Sequence, residues 1–178
     1  MLAEHWRLGL PAGLLLVASL LPGEAMELNR QAVAEGQLWR LWTGQFCHWS
    51  VLHLAGNLAA AAAICVIAGR PIRPWLAALP LVAPLLSLFL LVAAPGLEHY
   101  RGLSGLVAML VVGAAIEGGL VGRILAAAYL AKLGFDAFTG SQSALLPEGI
   151  AVAWPAHLGG LLLGLATAGW LHLRRNPR

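Results

Sequence analysis

Charged side chains are scarce in this 178-residue chain. Only 11% of its residues are Asp, Glu, Lys or Arg, while 60% are hydrophobic and the mean hydropathy is +0.79. An ordinary soluble domain carries about 25% charged residues. A chain this apolar is too poorly solvated to exist as a soluble monomer, so the composition indicates a membrane protein.

Several motifs of soluble and metal-dependent enzymes are also missing. There is no His-Glu-x-x-His zinc motif and no glycine-rich phosphate loop. The single aspartate, Asp136, is expected in a loop, which excludes an aspartyl dyad within one chain. Cys47 and Cys65 are expected to be small apolar residues without a disulfide. We therefore expect no metal and no cofactor.

Six apolar segments have the length and composition of membrane spans, which need about 20 residues or fewer when the helix is enclosed in protein. The first resembles a signal peptide in length, but it contains Pro11 and no clear small-residue cleavage site follows it, so we expect it to be retained. The sequence thus predicts one all-α membrane domain over residues 1–178, a bundle of six transmembrane helices. The segments are 6–21, 52–68, 75–94, 103–116, 120–133 and 154–173.

The basic residues favour one orientation. With the N-terminus in the cytoplasm, seven of the eleven Lys and Arg residues fall inside and four outside, as the positive-inside rule requires. The pI near 9.4 does not indicate nucleic acid, because these residues do not cluster on a soluble domain. Long connections at 22–51 and 134–153 then lie outside, and the first contains an amphipathic, tryptophan-rich stretch suited to the bilayer surface.

Polar groups stand at the start of three spans. Ser104 opens the fourth, His157 opens the sixth, and His53 and Asn57 lie near the start of the second. All three spans begin on the outer side in this orientation. Because polar and ionisable groups are costly inside a membrane and mark functional sites, we expect one site built from three helices near the outer surface.

Ser104 is the candidate nucleophile. A serine hydroxyl reacts poorly until a base takes its proton, and the free N–H groups of a helix start can receive an oxyanion. The glycines of Gly102-Leu103-Ser104-Gly105 permit unusual backbone angles and close approach. The alternative interpretation is a serine that only caps its helix.

His157 is the candidate base. It lies on about the same face as a ridge of small residues, which lets two helices approach closely. The fourth span offers small residues of its own, namely Gly105, Ala108 and Gly113. The alternative interpretation is an interfacial histidine bonded to a loop. The ridge consists of Ala156, Gly160, Gly164 and Ala168.

His53 and Asn57 are four residues apart and share one helical face. A neutral histidine and an asparagine can both donate a hydrogen bond to an oxyanion. The alternative is polar contact between helices, without a catalytic role.

Four motifs in order resemble the rhomboid intramembrane serine proteases, from about residue 37 to residue 165. The resemblance implies a six-helix core, a serine–histidine dyad without an acidic third member, and membrane-protein substrates. The motifs are Trp39-Arg40, the run His48-Trp49-Ser50-Val51-Leu52-His53-Leu54-Ala55-Gly56-Asn57, Gly102-Leu103-Ser104-Gly105, and Ala156-His157-Leu158-Gly159-Gly160 continuing to Gly164.

The resemblance also assigns roles to individual residues. Ser104 would be the nucleophile and His157 the base, and the oxyanion hole would comprise His53, Asn57 and the Ser104 backbone. Trp39 and Arg40 would belong to a membrane-embedded first loop. His48 would be structural.

The short chain and the run Tyr100-Arg101-Gly102-Leu103-Ser104-Gly105 look like the rhombosortases. That likeness implies a bacterial inner-membrane enzyme with cytoplasmic termini and a periplasmic active site. Its substrates would be proteins anchored by a C-terminal GlyGly-type sorting tail, a helix and basic residues. Either water or another amine could then resolve the acyl-enzyme.

Two other classes are weighed against the protease. A non-catalytic rhomboid-like protein would bind and route membrane clients, but such relatives typically lack the dyad that this sequence retains. A small transporter would have broken helices and charges at mid-membrane, and the sequence shows neither.

Overall fold

The computed structural model describes residues 23–139 and 145–176, which are mostly helical. The predicted first span, 6–21, lies outside the described residues. The elements in chain order are α1 (Gly23–Met26), β1 (Leu28–Asn29), α2 (Arg30–Ala34), α3 (Arg40–Thr43), α4 (Val51–Ala68), a 3-10 turn (Arg70–Ile72), α5 (Arg73–Ala93), β2 (His99–Tyr100), α6 (Ser104–Glu117), α7 (Gly119–Thr139) and α8 (Trp154–Arg175).

Three stretches in the described part of the chain are long and apolar enough to cross a membrane: α4, α5 with its preceding turn, and α8. The shorter α6 contacts α4, α5, α7 and α8, and residues 105–111 are all buried. A short, enclosed helix was expected at this position. The bounds of α4, α5, α6 and α8 lie within two residues of the predicted segments, which confirms the predicted positions of these four helices, although α6 is shorter than a candidate span.

The prediction for α7 was wrong at its C-terminal end. The helix continues through Thr139, six residues beyond the predicted limit of 133, so Asp136 lies on a helix and not in a loop. The drop in hydropathy at Lys132 and Asp136 ended the predicted span. Oppositely charged side chains four residues apart instead support a helix, and Lys132 Nζ donates to Asp136 Oδ2.

The segment before α4 is structured, although the sequence analysis treated it as a long connection. β1 pairs antiparallel with β2, so Leu28 faces Tyr100 and Asn29 faces His99. Arg30 donates to the carbonyl oxygens of Leu91 (2.8 Å) and Ala94 (2.9 Å) at the end of α5. The segment therefore anchors the chain just before Ser104, a long-range pairing that no local pattern indicated.

Two prolines inside α5 remove backbone donors, and the preceding segment compensates for one of them. Because Pro84 has no N–H, the carbonyl oxygen of Pro80 loses its helical partner. Trp42 Nε1 donates to that oxygen at 2.9 Å. Nearby, Ser87 Oγ donates to the Leu41 carbonyl oxygen at 2.6 Å. These bonds fix α3 against α5.

Glycines set the contact between α6 and α8. A Cβ on Gly160 would overlap the carbonyl oxygen of Gly105, and one on Gly164 would lie 2.8 Å from Val112 Cγ2. The predicted packing of this ridge on the fourth span is confirmed. Gly113 is an exception, because it faces Trp75 and Ile72 and not α8.

Candidate active site

Ser104 is the first residue of α6 and does not cap it. Leu103 occupies the N-cap position, and no side chain makes a capping hydrogen bond there. The interpretation of Ser104 as a helix cap is therefore wrong. Gly102, two residues earlier, has φ +142°, where a side chain would be strained, and a Cβ there would lie 2.9 Å from His53 Cε1. The glycine allows His53 to approach the serine loop.

Three hydrogen bonds hold the loop before Ser104. The Tyr100 hydroxyl donates to the Gly102 carbonyl oxygen at 2.8 Å, and the Gly102 N–H donates to the Gly44 carbonyl oxygen at 3.1 Å. The Leu103 N–H donates to His48 Nε2 at 3.4 Å. Burial raises the pKa of Tyr100 to about 12, so its hydroxyl stays protonated and remains a donor.

His48 can accept this bond only while Nε2 is unprotonated. Burial, with a smaller contribution from nearby His53, lowers the pKa of His48 to about 4. The ring is therefore neutral near pH 7. Its edge-on contact with the His53 ring, at 5.0 Å between centroids, links the two histidines of the motif. These contacts indicate that His48 supports the loop before Ser104 and the position of the His53 ring.

His53 and Asn57 lie on the buried face of α4, each 7% exposed. The helix begins after Ser50, whose Oγ accepts the His53 N–H at 3.0 Å and donates to the Leu145 carbonyl oxygen at 3.3 Å. Asn57 Nδ2 donates to the His53 carbonyl oxygen at 3.0 Å, a bond within one helix. That bond uses one of the two amide hydrogens, so the second is available to a ligand.

His157 lies one turn into α8, between two aromatic rings. Trp154 approaches edge-on at 6.0 Å between centroids, and Tyr129 of α7 does so at 6.4 Å. His157 Nδ1 is buried and has no hydrogen-bond partner among the described residues, and the same holds for the Tyr129 hydroxyl. Within residues 23–139 and 145–176, no hydrogen bond joins this histidine to a loop, which was the alternative raised from the sequence.

One cavity of about 980 Å³ brings the motifs together. Ser104, His157, His53 and Asn57 all line it, which confirms that the three helix starts share one site. Gly105 and Gly160 lie directly beneath, where α6 and α8 touch. His157 Nδ1 has no partner among the described residues, and no hydrogen bond is seen there between Ser104 and His157. Catalytic hydrogen bonds are often long in apo structures.

Trp39 and Arg40 lie outside this cavity. Arg40 is buried and donates from Nη1 to the carbonyl oxygens of Glu24 (2.8 Å) and Glu27 (2.9 Å). Trp39 is 53% exposed, and its Nε1 lies 3.4 Å from the Ala25 carbonyl oxygen. Both residues stabilise the segment before α4 and so act on the site only from a distance.

The contribution of α7 to the cavity was not predicted from the sequence. Tyr129, Lys132 and Asp136 line the cavity, and their spacing of three and four residues puts them on one helical face. This spacing could have indicated from the sequence that one polar face of α7 borders the site. Glu27 was not predicted either; it is buried and accepts from Arg101 Nε at 2.7 Å beside the serine loop. No local pattern connects residues 74 positions apart.

The fold and the cavity define a helical membrane protein with a serine and a histidine at the contact of two helices. The sequence matches the model of the Rhomboid domain over residues 35–175. The chain belongs to the rhomboid family, a family of intramembrane serine proteases. A comparison with curated proteins found no similar sequence.

Proposed function

We propose that this protein is an intramembrane serine endopeptidase in which Ser104 is the nucleophile and His157 is the base. The observation that carries the proposal is the shared cavity at the α6–α8 contact, where both side chains are exposed to the same space. The backbone contact between Gly105 and Gly160 fixes the distance between the two helix starts. This distance matters because a misplacement of the reacting groups by about 1 Å can cost roughly a hundredfold in rate.

The reaction would proceed in two steps. Ser104 Oγ attacks the scissile carbonyl carbon while His157 takes the hydroxyl proton, and the peptide C–N bond then breaks as His157 returns that proton to the departing amine. Water next attacks the acyl-enzyme carbonyl carbon while His157 removes one of its protons, and the acyl C–Oγ bond then breaks as that proton returns to Ser104 Oγ and the acid product leaves. Each proton is thereby accounted for, and the free enzyme is restored.

The oxyanion of each tetrahedral intermediate needs donors in place. The free amide hydrogen of Asn57 and the Ser104 N–H at the start of α6 are suited to this task. His53 lies against Gly102, close enough to serve as a third donor. The cavity also has charged side chains in its wall, including Glu24, Glu98 and Lys132, so water can enter it.

The substrate class proposed is a protein anchored by a C-terminal helix and cut near the outer end of that helix. The likeness of the run 100–105 to the rhombosortases supports a glycine-rich sorting tail. Both termini of the enzyme would be cytoplasmic and the cavity periplasmic, in the inner membrane of a bacterium. A reporter fused after Arg178 is expected to behave as cytoplasmic; an external signal would contradict this orientation.

A cleavage assay tests the function. Purified protein is incubated with a membrane-anchored substrate carrying a Gly-Gly tail, a helix and basic residues, and the products are identified by mass. We expect cleavage by the wild type and none by Ser104→Ala. Uncut but co-purifying substrate would favour a non-catalytic client-binding protein. An added primary amine separates the two fates of the acyl-enzyme, because transfer yields the amide and hydrolysis yields the acid.

A further inference from the structure

A base in this position needs support at its second nitrogen. For Nε2 of a neutral histidine to accept the serine proton, the ring must carry its own proton at Nδ1, and the acceptor bound there fixes the tautomer and orientation. His157 Nδ1 is buried, and no described residue accepts from it. A buried donor left unpaired is unfavourable. The site therefore requires an acceptor that the dyad itself does not provide.

Tyr129, whose ring contacts His157, carries a polar atom in the same condition. Its hydroxyl is buried without a partner in the described part of the chain, and its ring packs edge-on against His157 at 6.4 Å between centroids, with an interplanar angle of 64°. Both side chains line the cavity. A water molecule is stable where a roomy, polar space offers it two or more partners, and it bridges polar groups nearly as well as a direct bond.

We propose that Tyr129 is a positioning residue for His157: its ring holds the imidazole by edge contact, and one bridging water accepts a hydrogen bond from His157 Nδ1–H and donates one to the Tyr129 hydroxyl oxygen. The inference rests on the proposed function, since it assigns the support of the same base. The neutral phenol of Tyr129 on α7 would thus orient the base, as the carboxylate does in a serine–histidine–aspartate triad.

The charged neighbours of His157 do not fill this place. Asp136, two turns beyond Tyr129 on α7, is bonded to Lys132, and both exert opposing electrostatic effects on His157. His53 of α4 is the other titratable group that acts on it. From α5, the apolar side chains of Leu86 and Phe89 approach α8 near this point, at Gly159. Tyr129 is therefore the candidate with both the contact and an unused acceptor.

The test is Tyr129→Phe in the full-length protein, which removes one oxygen and keeps the ring. We expect kcat to fall about three- to tenfold, the worth of one hydrogen bond, with KM unchanged. The acid limb of the kcat–pH profile should move to lower pH, because the imidazolium loses its acceptor. The shift should persist in high salt, since a short-range bond and not a screened field is lost.

Thr167→Val is the matched control. It removes a buried hydroxyl from α8 that donates to the Leu163 carbonyl oxygen, ten residues beyond His157 and away from the cavity. We expect its kcat and pH profile to match the wild type even where its thermal stability falls. A Tyr129→Phe protein that behaves like this control, with reduced stability alone, would overturn the inference.

The remaining outcomes are also decisive. Unchanged kcat and profile in Tyr129→Phe, or a raised KM with unchanged kcat, would show that the hydroxyl does not act through the base. The rate of Ser104 labelling by a fluorophosphonate probe provides a readout that needs no substrate. Where wild-type Ser104 is labelled but Tyr129→Phe labels equally fast, only this inference fails. Where the wild type is not labelled, the proposed function fails as well.

Discussion

The two ends of the α6–α8 pair differ in how their polar groups are paired. At the site end, which holds Ser104 and His157, a large cavity opens, and His157 Nδ1 and the Tyr129 hydroxyl are buried without a partner among the described residues. At the far end, Glu117 accepts from Arg175 Nη2 at 2.8 Å and from Trp75 Nε1 at 3.3 Å. Buried polar groups in native proteins are normally paired. We therefore expect water or a substrate to pair with those unpaired groups that line the cavity.

The glycine contact between α6 and α8 lies between the two ends and explains how the helices stay packed while one end opens into a cavity. Gly105, Gly160 and Gly164 let the backbones touch, and Gly105 has no room for a side chain because a Cβ would lie 2.8 Å from the Ala156 carbonyl oxygen. The far-end ion pair joins the last turns of the same helices. The glycine packing and the ion pair therefore hold the two helices together, while the polar groups at the site end remain available to a substrate.

The largest effect is expected at the base. In His157→Ala the serine proton has no acceptor, so cleavage should fall by at least about 10²–10⁴-fold, the usual contribution of general acid–base catalysis. Thermal unfolding in detergent should change little, because the lost ring borders an open cavity. A variant that retains most of its turnover would show that the site end does not work through His157.

Gly160→Leu is expected to lower both the stability of the protein and its activity. Its side chain would have to occupy space held by the Gly105 backbone and Ala108 Cβ, so α6 and α8 must separate. Overpacking of this kind typically costs 1–3 kcal/mol or more, and the dyad would also be displaced. Melting temperature and activity should therefore fall together. Gly169→Leu on the same helix is the control, because no atom from another part of the described chain lies within 4 Å of its Cβ position.

A smaller effect is expected for Asn57→Ala. Removal of one well-placed oxyanion donor costs on the order of 10²–10³ in kcat. Because the Ser104 N–H and His53 would still stabilise the oxyanion, we expect kcat to fall only about 10–100-fold. The loss should appear in kcat and not in KM. If the rate is unchanged, Asn57 serves only its bond to the His53 carbonyl oxygen.

The smallest effect is expected at the far end. Arg175 is half exposed, and pairs of that kind contribute about 0.2–1 kcal/mol. Arg175→Met should lower the free energy of unfolding by about that amount and leave cleavage within about twofold of the wild type. Arg174→Met, which removes only a contact with the Trp170 ring, is the paired control. A large loss of activity in Arg175→Met alone would make the far end part of the catalytic machinery.

Much of this molecule could be predicted because polar residues stand out in an apolar sequence. The bounds of four helices and the meeting of Ser104, His157, His53 and Asn57 at one cavity followed from hydropathy and helix direction. The ridge contact at Gly160 followed from four-residue spacing. These features depend on local composition and on the alternation of antiparallel spans.

Other features depend on contacts between distant segments and left little local signal. The pairing of Leu28 with Tyr100 and the bond between Glu27 and Arg101 join residues more than 70 positions apart. The length of α7 was missed because Lys132 and Asp136 lower the hydropathy while their pairing extends the helix. Tyr129 was overlooked for the related reason that α7 was treated only as a span.

The most direct measurement of the central claim is covalent labelling of the purified protein by a fluorophosphonate probe, with the modified residue found by mass spectrometry. The account predicts one labelled residue, Ser104, in the wild type, no labelling of a folded Ser104→Ala protein, and greatly slowed labelling of His157→Ala. A wild type that stays unlabelled, or equal labelling of Ser104→Ala, would contradict the assignment of this cavity as a serine-protease site.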